Sequence, residues 1–279
     1  MKSILLPVDQ TEQMPSALES AWLLASLFDA TVEGVALRPA FARFVRALCG
    51  PAARRLGWRA AETQPDDERL LREAILIAIG DLGEDPATLA EAARRAGAWL
   101  QSPTGDAADL ARIALPLAAS RGDAALFDQL RAVVTHPPTP EARVMALGGL
   151  AAFDDPTLIE RTLGLVLDGT IKGQDLRYLF PGMGLRPAGR EVVHAWTEQH
   201  FDELARLYPS YVMGRVVRTV PALCDAGRVR AAETFLRPRV AKLEAVEKDL
   251  RQSVEEGLRC AALAEAGRAE AARWFRGRP

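Results

Sequence analysis

Ile171–Ser210, IKGQDLRYLFPGMGLRPAGREVVHAWTEQHFDELARLYPS, reads as a short helix, a Pro/Gly break and then a longer amphipathic helix pair. Gly182-Met183-Gly184 follows helix-forming residues and reads as a helix stop. The same rhythm extends outward in both directions. Helical periodicity is expected at 41–56, 68–82, 86–100, 107–120, 123–135, 140–152 and 156–167, and then at 212–226, 229–236, 239–266 and 268–275. Breakers include Gly57, Gly83 to Pro86, Ser102 to Asp106, Gly122, His136 to Pro140 and Asp154 to Pro156. Pro86 suits a first helical position, and Gly227 and Gly267 each read as the glycine that ends a helix.

Breaks fall about every 15–20 residues, so helix pairs recur at roughly 30–40, the range of helical repeats. The expected fold is mainly α: a HEAT/armadillo-like α-solenoid of helix pairs. Neither an ankyrin nor a tetratricopeptide signature is visible.

Residues 1–40 read differently. Ser3 to Asp9 has the look of a buried strand, Ser16 to Phe28 of an amphipathic helix and Thr31 to Leu37 of a second strand. The expectation is a short N-terminal β-α-β appendage before a helical domain over 41–279.

Composition excludes several function classes. With 35 basic and 37 acidic residues the net charge is −2, so no global field attracts nucleic acid or an anionic membrane. No apolar run approaches the ~20 residues of a membrane span, and the N-terminus reads as no signal peptide. Cys49, Cys224 and Cys260 lie far apart without a CxxC pair, and each is expected to act as a small apolar residue in a reduced, cytoplasmic chain.

The chemistry-bearing side chains form no recognisable catalytic pattern. His194 and His200 are six apart, which turns the two imidazoles away from the i, i+4 alignment of helix-borne zinc ligands. No HExxH, GxSxG, Walker loop or GxGxxG occurs. No catalytic residue, metal site or cofactor is therefore assigned. Arg177-Tyr178 and Tyr211 with Arg215 pair a basic with an aromatic residue, a combination that recognises peptide carboxylates or packs helix interfaces.

Two family resemblances accompany these readings. The opening 40 residues resemble the start of the universal stress protein family. There an Asp closing the first strand lies near the adenine of ATP, the place taken by Asp9. Asp9 equally suits a turn cap, and the family's glycine-rich phosphate loop has no counterpart.

The second resemblance covers about 41–277. Leu56-Gly57-Trp58 with Leu70-Leu71-Arg72 looks like the opening of the C-terminal helical domain of the aminopeptidase N family of zinc metallopeptidases, of the endoplasmic-reticulum and puromycin-sensitive types. Gly173-Gln174-Asp175, Gly189-Arg190, Ala195-Trp196 and Phe201-Asp202-Glu203-Leu204 look like its central run, and Ala271 to Phe275 like its close.

That resemblance implies a curved array that closes a substrate cavity over a separate zinc-bearing catalytic domain. It carries over no catalytic residue. The expected function is therefore a non-catalytic domain that binds peptide or an aminopeptidase catalytic domain, with Arg177, Tyr178, Tyr211 and Arg215 as peptide contacts. The alternatives are a general protein-interaction scaffold and the remnant of a nucleotide-binding stress protein.

Overall fold

The computed structural model describes residues 38–59, 65–103, 110–243 and 245–276. The expected β-α-β appendage, Asp9 included, lies outside them. Among the described residues the regular structure is helical, with no strand. The helices are α1 (Arg38–Leu56), α2 (Asp66–Ile77), α3 (Pro86–Gln101), α4 (Ala111–Ala119), α5 (Ala124–Thr135) and α6 (Pro140–Leu150). They continue as α7 (Pro156–Leu167), α8 (Leu176–Gly184), α9 (Pro187–Leu207), α10 (Ser210–Val217), α11 (Ala226–Val240) and α12 (Val246–Arg276). A π turn, Ala78–Leu82, prolongs α2, and 3-10 segments lie at Gly173–Asp175 and Val220–Leu223.

The helix starts explain why the breakers fall where they do. Asp85, Asp123, Thr139, Asp155 and Asp225 each stand at an N-cap and accept hydrogen bonds from backbone N–H groups of the first turn. In Asp85-Pro86, Thr139-Pro140 and Asp155-Pro156 the next residue is a proline, whose missing N–H costs nothing there.

Four expected boundaries move. Pro181 sits inside α8, which runs on through Gly182 to Gly184, so the break falls at Leu185-Arg186 instead. A single proline removes one ladder donor, and the packing of Leu179, Phe180 and Met183 outweighs that loss. Gly227 ends no helix: it lies in the first turn of α11, where the Asp225 cap starts the ladder. Gly267 lies inside α12, with open space where a side chain would be, so the expected segments 239–266 and 268–275 are replaced by one helix from Val246. The helix expected over 212–226 stops at Val217 and gives way to the 3-10 segment.

Packing follows chain order in two ways. Neighbours in sequence pair, as in α3 with α4, α5 with α6, α8 with α9 and α11 with α12. Alternate helices also touch in succession, from α2 to α4, α6, α8, α10 and α12. Helix α4 is covered from several sides, and Ile113, Ala114, Leu115 and Leu117 are all buried. One apolar core runs from Trp99 of α3 to Val254 of α12, with Phe127, Phe153 and Phe201 fully enclosed. Helix α12, about 46 Å long at 1.5 Å per residue, reaches back to α1. Phe44 meets Trp274 edge to face at 4.9 Å, and Phe41 meets Phe275 at 5.8 Å.

Buried polar ties fasten the helix ends. Arg143 of α6 donates to Asp175 at 2.8 Å, to the Thr170 carbonyl at 3.1 Å and to the Val134 carbonyl. Tyr208 donates to the Val166 carbonyl at 2.6 Å, and burial beside Asp168 and Asp175 pushes its phenol up, so it stays a donor. Together these two side chains hold the connection between α7 and α8. Arg186, only 12% exposed, donates to Asp81 of the π turn at 2.7 Å and to Asp154 at 3.0 Å. Burial alone would lower its pKa; the two carboxylates outweigh burial and raise it.

Two measurements check this account. Asp175→Ala takes the carboxylate from the Arg143 guanidinium, which keeps its two carbonyl partners, and should cost roughly 1–3 kcal/mol by urea unfolding. Arg143→Met combined with Asp175→Ala should cost clearly less than the sum of the single variants, and strict additivity would refute the tie. A methyl group on Gly189 would stand 2.1 Å from the Met183 carbonyl oxygen, whereas on exposed Gly97 it meets nothing within 4 Å. Gly189→Ala should therefore destabilise by roughly 1–3 kcal/mol and Gly97→Ala stabilise by about 0.5–1 kcal/mol.

Candidate functional site

The four side chains proposed as peptide contacts sit on two helices that touch. Arg177 and Tyr178 open α8, and Tyr211 and Arg215 lie one turn apart on α10, next to it in the alternate-helix succession. The Arg177 guanidinium lies over the Tyr178 ring at 4.7 Å. Tyr178 packs against the core, while Arg177 is exposed. Tyr211 is 68% exposed, a large apolar ring turned to solvent. Arg215 is half-buried, and its buried Nε has no hydrogen-bond partner among the described residues. Close packing sets this neighbourhood: the Gly173 backbone comes so near Tyr208 and Val212 that a Cβ would lie 2.9 Å from each. The terminal N–H groups of an arginine beside an exposed phenol can donate to a carboxylate or a peptide carbonyl.

The two histidines each lie beside a carboxylate of their own helix. His194 lies 3.7 Å from Glu198 and His200 lies 3.0 Å from Glu203. Burial lowers the His194 pKa ahead of the opposing pull of Glu198. Among the described residues no group of three or more His, Cys, Asp or Glu side chains is placed to hold a metal ion.

Sequence reasoning missed three features here. Asp175, in the Gly173-Gln174-Asp175 run, is the buried partner of Arg143, and Arg186 joins three elements. Neither of the first two is legible from spacing, because each depends on a partner over 30 residues away in sequence. The third is Cys224, which is bonded to Cys260 rather than standing as a lone apolar residue. Their separation of 36 residues hides the fact that the turn after α10 folds back onto α12.

Most residues that carry the family resemblance are structural. Phe201 and Leu204 are fully buried, Trp196 and Arg190 nearly so, and Phe275 closes α12 onto α1. The family description "ERAP1-like C-terminal domain" matches residues 5–259. That span takes in most of 1–40, and the comparisons give no support to a stress-protein likeness there.

Aminopeptidase M1-A of Oryza sativa subsp. japonica is 27% identical over 235 residues, 82% of this chain and 26% of the relative. Aminopeptidase M1 of Arabidopsis thaliana is 26% identical over 211 residues, 73% of this chain and 23% of the relative. The alanine/arginine aminopeptidase of Saccharomyces cerevisiae is 37% identical over 93 residues, 33% of this chain and 11% of the relative. The chain thus spans about a quarter of the length of the plant relatives. By the extent of this match, the chain belongs to the ERAP1-like C-terminal domain family.

Proposed function

We propose that this chain is a non-catalytic helical binding domain that receives peptide across α8 and α10 and works with an aminopeptidase catalytic domain. The observation that carries the reading is the exposed Tyr211 ring, one turn from the half-buried Arg215 on the same helix. Arg177 and Tyr178, one over the other, lie on the adjoining helix. The succession of alternate helices supports a HEAT-like solenoid in which α8 and α10 share the inner layer. The names of the relatives support a peptide as ligand and a catalytic domain as partner.

We take 41–279 as the helical domain, 1–40 as its N-terminal segment and the cytoplasm as its location. No helix among the described residues is long and apolar enough to cross a membrane.

Calorimetry with short peptides tests the reading. A peptide with a free C-terminal carboxylate should bind, and its amidated form should bind at least about tenfold more weakly, the worth of one charge-assisted pair. Tyr211→Ala with Arg215→Ala, and separately Arg177→Ala with Tyr178→Ala, should each weaken binding by a similar factor while the helical circular-dichroism signal is kept, the second variant melting lower because Tyr178 packs against the core. Unchanged affinity in both double variants would remove the site. Zinc-dependent release of N-terminal residues by the purified chain would overturn the non-catalytic reading.

A further inference from the structure

The turn that follows α10 is fastened to α12 at two adjacent points. At the first, Gly257 brings α12 so close that a Cβ would meet Val229 Cγ2 at 2.8 Å and the Pro221 backbone at 3.4 Å. At the second, one turn further along α12, Cys260 is disulfide-bonded to Cys224 across a Cα–Cα distance of 5.0 Å. Cys224 ends the 3-10 segment with φ 45° and ψ 33°, a left-handed backbone that is costly for a residue bearing a Cβ. That turn leads directly into Asp225, the cap of α11. Both cysteines are only half-buried, so a small reductant can reach the bond. Disulfides that are exposed or tied to strained backbone are the labile ones. The close contact at Gly257 does not depend on the sulfurs, so the helices remain apposed when the bond opens. Cys49 lies on α1, where burial raises its pKa and keeps it an unreactive thiol.

We propose that Cys224–Cys260 is a reversible redox latch, opened by a dithiol reductant without unfolding of the chain, which sets how firmly the turn between α10 and α11 is held on α12. A thiolate of the reductant attacks one sulfur and forms a mixed disulfide, and the other cysteine leaves as a thiolate that takes up a proton. The second thiol of the reductant then displaces the remaining cysteine. In sum the reductant loses two electrons and two protons and becomes its own disulfide, while Cys224 and Cys260 gain them as two thiols. Once released, Cys224 is free to leave the left-handed conformation, and the cap of α11 loosens with it.

The test uses the full chain carrying Cys49→Ala, so that only this pair is counted. It is equilibrated with graded mixtures of reduced and oxidised dithiothreitol, alkylated with a maleimide and weighed by mass spectrometry. The pair should pass fully from oxidised to reduced while far-ultraviolet circular dichroism keeps its helical signal. The reduced form should melt roughly 5–10 °C lower, from the lost constraint on a 36-residue loop. Trypsin should cut it several-fold faster after Arg218 and Arg228, and the Cys224→Ser, Cys260→Ser double variant should behave as the reduced form. The proposal is overturned by a pair that stays oxidised at every ratio until denaturant is added, or by sulfurs that never pair. A reduced form with the melting and cleavage of the oxidised one overturns it equally.

Discussion

Arg186 occupies the junction on which the packing depends. It is the N-cap residue of α9, it reaches Asp154 between α6 and α7, and it reaches Asp81, 105 residues earlier in the chain. A charge this enclosed is tolerable only when its donors are satisfied, so the three elements must meet together. The π turn that prolongs α2 places Asp81 there. Arg143 plays the same part for α5, α6 and the segment before α8. Short helices of 9–12 residues have little stability of their own. What fixes their relative positions is apolar burial along the core together with these few directional ties at their ends.

Seen this way, the residues by which the family is recognised are mostly those that hold the helices in place. Asp175 neutralises Arg143, Gly189 passes beneath a carbonyl where no Cβ fits, and Trp196, Phe201 and Leu204 fill the core. The side chains proposed as peptide contacts lie elsewhere, on α8 and α10.

Much of the architecture was legible in the sequence because it rests on local rules. The dipeptides Asp85-Pro86, Thr139-Pro140 and Asp155-Pro156 mark helix starts whose caps satisfy orphan N–H groups. The bounds of 156–167 could be read directly for that reason. Glycine was the poorer guide. Gly227 and Gly267 look alike in sequence, yet one follows a cap and the other crosses an uncrowded helix interior. Of the candidate site, it was not legible that the helices bearing the two aromatic–arginine pairs touch, since the contact of α8 with α10 arises only in the fold. Nor were the disulfide or the reach of Arg186, which depend on partners distant along the chain.

The most direct test of this account is amide hydrogen exchange on Arg186→Met. If Arg186 is the junction described, protection should fall together at 78–83, at 152–156 and in the first turn of α9, three segments far apart in sequence. Loss confined to the first turn of α9, with the other two segments unchanged, would show that the helices are positioned without it and would contradict the account.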